Sequence, residues 1–224
     1  MKKIHILCAA ALVLTTSCEE ILNVIATTPT FSVTDTVYDG QTQQLQKLGT
    51  CKYAWSTDSP SIVTFKHEEE GSKVITYATF KLTAATKPVK VSITAKNAED
   101  ETVDPVTNTT TVRIWTVHFF KNNGGDNWEE LPGHNNPTVN EAGTYRAQMV
   151  AMQDDNSWER VSVINYKFSL TGGAENGDLK WSTAGANDVA LGDTYANFTV
   201  STKGTYTFRA TLGDVTRVGV LKYQ

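Results

Sequence analysis

From Phe31 onward the apolar stretches of the chain are short. They alternate with polar positions and stop at Gly, Pro, Asn, Asp or Ser. The runs Lys73-Val74-Ile75-Thr76-Tyr77-Ala78-Thr79-Phe80-Lys81-Leu82-Thr83 and Val89-Lys90-Val91-Ser92-Ile93-Thr94-Ala95 are examples. In an extended chain every second side chain points the same way, so such runs read as half-buried antiparallel strands. Beyond the N-terminus no convincing amphipathic-helix pattern appears. Residues 41–48 have room for one or two helical turns, but their neighbours read as strand and loop. The expected class is all-β.

The pattern also repeats weakly. Trp55-Ser56-Thr57 is echoed by Trp181-Ser182-Thr183. Phe80-Lys81-Leu82-Thr83, a Lys87-Pro88 turn and the strand from Val89 are echoed by Phe198-Thr199-Val200-Ser201, a Lys203-Gly204 turn and the strand from Thr205. A third echo of the turn lies at Glu141-Ala142-Gly143-Thr144-Tyr145. Short strands at regular spacing suggest β-sandwiches, with Trp55 and Trp181 packed between sheets. Each Gly-Thr-Tyr resembles a tyrosine corner, in which the ring packs and its hydroxyl bonds nearby backbone.

The run 53–95 resembles a bacterial immunoglobulin-like domain of the Big-2 kind, and the run 179–214 resembles a PKD-like module. The resemblance implies two Ig-like antiparallel β-sandwiches in tandem. A closing strand at 109–115 and an opening strand at 117–120 put them at 31–115 and 116–224, joined with little linker. Such modules serve as spacers, adhesion units and glycan-binding accessories, so the resemblance leaves the function open.

The N-terminus is different. Met1-Lys2-Lys3 precedes an apolar run of 11 residues, Ile4 to Leu14, interrupted by His5. A membrane-spanning helix needs about 20 residues, so a basic start with this short run reads as an export signal. Leu14-Thr15-Thr16-Ser17-Cys18 resembles a bacterial lipobox in the looser form common among Bacteroidetes. The resemblance implies a signal peptide at 1–17, an acylated Cys18 and a tether at 18–30 holding the chain to outer-membrane lipid. Glu19-Glu20 resembles the signal that sends such lipoproteins to the outer face of that membrane, which implies exposure at the cell surface. Cys51 is then the only thiol of the mature chain. It can form no internal disulfide, and it shares a strand face with Tyr53 and Trp55, as a small core residue would.

Loss of Lys2 and Lys3 leaves 18 basic and 24 acidic side chains, a net charge of −6. With no basic stripe to neutralise phosphates, nucleic acid is excluded as a partner. His67, His118 and His134 have no partners at metal-ligand spacing, and no nucleophile elbow is present. The expectation is a non-enzyme with no cofactor and no metal.

Two loops carry the remaining chemistry. The Gly/Asn/Pro-rich stretch 122–137 holds Asp126, Asn127 and Trp128. An exposed Trp128 would stack on a sugar while Asp126 and Asn127 bond its hydroxyls; the other reading folds Trp128 inward over the end of the sandwich. Gln153-Asp154-Asp155-Asn156-Ser157-Trp158 offers a second tryptophan, Trp158, beside oxygen ligands suited either to calcium or to a plain turn. Asp126 and Glu129 would need to face each other across a cleft to hydrolyse a glycoside. Asp35-Thr36-Val37 resembles the O-glycosylation motif of Bacteroidetes. The expected function is a surface lipoprotein whose Ig-like domains bind glycan or a protein partner. The alternative is a spacer or accessory subunit of an outer-membrane complex for nutrient uptake or pilus assembly.

Overall fold

A computed structural model describes residues 28–45, 53–70, 73–161, 179–184, 186–192 and 194–224. The expected signal peptide, Cys18 and Cys51 lie outside the described residues. All regular structure within them is strand.

The N-terminal unit contains β1 (Thr36–Tyr38), β2 (Thr42–Gln44), β3 (Tyr53–Thr57), β4 (Val63–Glu70), β5 (Lys73–Phe80), β6 (Val89–Asn97) and β7 (Val106–Arg113). One sheet has the order β1-β7-β6-β3 and the other β2-β5-β4. The second, fifth and fourth strands thus oppose the third, sixth and seventh, which is the sheet assignment of an immunoglobulin sandwich. β1 pairs with β7 in parallel. The alternation read from the sequence is the packing pattern itself: Val91, Ile93 and Ala95 of β6 are fully buried, and Ser92 and Thr94 between them are not. Val91 and Ile93 share their core with Val37, Leu45, Val63, Ala78, Phe80, Leu82 and Val112. Trp55 packs against it, its ring 5.0 Å from Phe31 and 6.1 Å from Phe65. Residues 42–44, where helical turns had room, are strand β2. His67 lies within β4 with its Nδ1 3.0 Å from the Thr76 hydroxyl, three residues before the end of that strand.

The C-terminal unit contains β8 (Trp115–Asn122), β9 (Trp128–Glu130), β10 (Thr138–Val139), β11 (Gly143–Met152), β12 (Trp158–Arg160), β13 (Lys180–Ala184), β14 (Asn187–Leu191), β15 (Tyr195–Val200), β16 (Gly204–Leu212) and β17 (Val215–Tyr223). Its order β10-β17-β16-β13, with β10 parallel to β17, reproduces β1-β7-β6-β3. The sequence echo therefore falls on equivalent strands: β3 and β13 carry the tryptophans, and β5 and β15 precede β6 and β16. The facing sheet has the order β14-β15-β11-β8-β9, with β12 on β11. Phe119, Phe198 and Phe208 interlock between the sheets, with centroids 4.2 to 6.1 Å apart. Trp181 is half-buried against this core. Both tyrosine corners form: the Tyr145 hydroxyl donates to the Glu141 carbonyl at 2.8 Å, and the Tyr206 hydroxyl to that of Thr202 at 2.5 Å.

Ile114 packs on the first core and Trp115 is fully buried in the second. The joint between the units is built on Asp39. Its carboxylate accepts the Leu82 N–H at 2.7 Å and the Arg217 guanidinium at 2.8 Å, while its carbonyl accepts the Trp115 indole N–H at 2.7 Å. Beside it Gly40 and Gly213, both at positive φ, bring their backbones into direct contact. Lys81 pairs with Asp214 across the same seam.

Candidate functional site

The outward face of the β8–β11–β15 sheet is not the polar surface that alternation leads one to expect. Trp115, Val117 and Phe119 of β8 point into the core, as do Tyr145, Ala147 and Met149 of β11 and Ala196 and Phe198 of β15. The intervening residues share the opposite face. Register sets them in two cross-strand rows: His118–Gln148–Tyr195 and Phe120–Arg146–Asn197. β9 extends the second row with Glu130 opposite Phe120 and sets Trp128 opposite Asn122. β12 adds Trp158 opposite Met152 and Arg160 opposite Val150. His118, Phe120 and Gln148 are only 2%, 4% and 7% exposed although they face away from the core.

Two assemblies occupy this face. In the first, the Arg146 guanidinium lies 4.0 Å from the Trp128 ring and 4.2 Å from the Tyr195 ring, sandwiched between their π faces. Its Nε donates to Asn197 Oδ1 at 2.8 Å. Burial pushes the Arg146 pKa down, and the nearby Asp126 carboxylate opposes that shift; a guanidinium stays charged regardless. Trp128 is half-buried, and its indole N–H is buried without an acceptor.

In the second assembly, His118 Nδ1 lies 2.6 Å and His134 Nδ1 2.8 Å from the same oxygen, Glu130 Oε1. A carboxylate only accepts, so each imidazole donates its Nδ1–H. The rings of the two histidines lie 4.8 Å apart, and that of Trp158 lies 5.3 Å from His118. Burial pushes His118 below its ordinary pKa, against the upward pull of Glu130.

A local backbone device makes this meeting possible. After β9 the Leu131 N–H donates to the Phe119 carbonyl, the His134 N–H donates to that of Leu131, and the Phe119 N–H donates to that of His134. The chain thus makes one turn and returns to β8 beside His118. Gly133 and His134 hold positive φ, 88° and 52°, to achieve it. For a histidine that backbone region is uncommon.

The sequence-predicted residues are placed as follows. Trp128 stands in the edge strand β9 rather than in a loop, clasped on Arg146. Asp126 and Asn127 form the exposed tip of the β8–β9 hairpin, where the Asn127 carbonyl accepts the Asn123 N–H at 2.9 Å. Trp158 stands in β12 on the same face. Asp126 does not converge with Glu129, which alternates away from Trp128 and Glu130 and accepts from the Asn123 side-chain amide at 2.8 Å. The stretch 154–156 forms a plain turn: Asp155 accepts the Ser157 N–H at 2.9 Å and its hydroxyl at 2.6 Å, and Asn156 takes φ 67°. Arg146, Tyr195, Gln148 and the His118–Glu130–His134 set were not singled out together by the sequence. Their sequence separations carry no motif; strand register and the turn after β9 unite them.

No family model and no curated protein matches the chain. Among solved structures, an endo-fucoidan hydrolase of glycoside hydrolase family 107 is similar at 11% identity and a TM-score of 0.33, over 87% of this chain and 33% of its own. A Bacteroides ovatus surface protein of a mixed-linkage glucan utilization locus, in complex with a mixed-linkage heptasaccharide, is similar at 12% and 0.29, over 89% and 46%. The D00-D0 domain of intimin is similar at 14% and 0.28, over 85% and 94%. The chain thus spans about a third of the hydrolase and under half of the glucan-locus protein, and similarities this low say nothing of what it binds or does.

Proposed function

We propose that this chain is a non-catalytic surface lipoprotein, anchored in the outer membrane through an acylated Cys18, that binds a glycan on the outward face of its C-terminal sandwich. The observation that carries the reading is the Trp128–Arg146–Tyr195 stack. Two aromatic rings and one guanidinium form a rigid ledge on a sheet face, with Asn197 bonded to the guanidinium and the Asp126 carboxylate nearby. Rings offer apolar surface to the C–H face of a sugar, and the guanidinium and amides offer donors to its hydroxyls. Their mutual contacts pre-organise Trp128, Arg146, Tyr195 and Asn197, which lowers the entropy cost of binding.

The test is a glycan array and a pull-down on the purified chain. Binding to a defined class of oligosaccharide supports the proposal, and the absence of any glycan ligand refutes it. Capture of a stoichiometric envelope protein instead favours the second reading, a spacer or accessory subunit of an outer-membrane complex. The Asp39–Arg217 joint and the Gly40–Gly213 contact support that second reading, since they fix the two sandwiches to each other as a spacer requires.

A further inference from the structure

We propose that His118, Glu130 and His134 form a binding site for one divalent transition-metal ion of the zinc type. The site is independent of any glycan ligand. Two imidazoles and a carboxylate are the donor set of an open zinc site, in which three protein ligands leave one position to solvent. Their ligand atoms lie within 4.8 Å of one another. Zinc bonds of about 2.0–2.2 Å in a tetrahedron place neighbouring ligand atoms roughly 3.3 Å apart. The present contacts of 2.6 and 2.8 Å are hydrogen bonds through Glu130 Oε1. Loading therefore shifts each imidazole proton from Nδ1 to Nε2 by exchange with water, which frees both Nδ1 lone pairs for the ion with no net loss of protons, and the carboxylate backs away by about half an ångström. Glu130 and His134 can make that move because both are exposed, whereas His118 is fixed in the sheet.

Three further observations support the site. His118 is buried in the sheet face with its Nδ1 turned to Glu130, so one ligand is already fixed in place. His134 is held in the left-handed region by the turn that returns the chain to β8, and strain of this kind persists where the surroundings dictate it. Gln148 stands directly opposite His118 on the same face, 93% buried, with its Oε1 unpartnered. An orphaned acceptor beside the donor set is the feature that an ion or its bound water would satisfy. Because Glu130 and His134 bracket the turn after β9, the ion would also tie that turn to β8.

The experiment uses the full chain purified without a histidine tag and stripped with chelator. It is titrated with Zn2+ by calorimetry and with Co2+ by visible absorption. The expected result is one equivalent bound with micromolar or tighter affinity, a Co2+ spectrum of low coordination number, and a melting temperature that rises with Zn2+. Glu130→Gln and His134→Asn keep the fold, since both sites are exposed and asparagine tolerates positive φ. Each should weaken binding at least about 100-fold, given that even residues supporting a ligand are worth 10–100-fold. His67→Asn, on the other sandwich, should change nothing. No saturable binding in the wild type, or binding that survives both substitutions, overturns the site. Loss of glycan binding with metal affinity intact, or the reverse, separates this inference from the proposed function.

Discussion

The joint between the sandwiches makes a quantitative prediction. A Cβ added to Gly213 would lie 2.2 Å from the Gly40 carbonyl oxygen, and one added to Gly40 would lie 2.2 Å from that of Leu212. Real Cβ contacts essentially never fall below 3.0 Å, so Gly213→Ala must part the two backbones by about 0.8 Å or more. Both clashing atoms are main chain, so no side chain can swing aside. The adjoining bonds to Asp39 are 2.7 to 2.8 Å long, and such a displacement carries them past hydrogen-bond range. Alanine at positive φ costs about 1–2 kcal/mol on its own. Losing even one charge-assisted bond at a buried carboxylate adds about 1.5–3 kcal/mol. Gly213→Ala should therefore cost about 3 kcal/mol or more in urea denaturation followed by tryptophan fluorescence. Gly125 is the internal control: its φ of 58° matches the 59° of Gly213, and nothing lies within 4 Å of an added Cβ. Gly125→Ala should cost only the backbone share. Equal losses in the two variants would refute the account of the joint.

Other outcomes follow from the same contacts. Tyr206→Phe removes the bond to the Thr202 carbonyl and should lower stability by about 1 kcal/mol in the same assay. Phe198→Ala empties the centre of the second core and should cost about 3–5 kcal/mol; a loss below 1 kcal/mol would show that the rings do not interlock. The Ser92 N–H bonded to Asp58 holds that carboxyl below its ordinary pKa. A depressed folded pKa gives stability that is present above the ordinary value of 3.8 and lost as pH falls through the folded value. Asp58→Asn should flatten that acid limb in pH-dependent denaturation, and an unchanged slope would contradict the assignment.

Much of the fold was legible because strands half-buried on one core must alternate. The run 89–95 emerged as β6 with its apolar residues inward, and the Trp-Ser-Thr echo marked equivalent strands. The Gly-Thr-Tyr turns announced their hydroxyl bonds. The site was legible only in part. Trp128 and Trp158 stood out as aromatics in polar stretches, and both reached one face. Arg146 and Tyr195 looked like ordinary alternating positions; the β11–β15 register is what sets them against Trp128. His118, Glu130 and His134 are spaced by 12 and 4, separations that fit no ligand motif. They meet because β9 folds back on β8 and a turn at positive φ redirects the next residues. Pairing register and edge strands are long-range properties, and local pattern does not encode them.

The most direct measurement is a binding isotherm for a glycan captured on the array, comparing wild type with the Trp128→Ala/Tyr195→Ala double variant, with far-ultraviolet circular dichroism to confirm the strands. Removing both rings deletes the ledge and leaves the core untouched. The account predicts an affinity at least tenfold weaker with the β signal intact. Unchanged affinity in a folded double variant would contradict it and move the binding surface elsewhere.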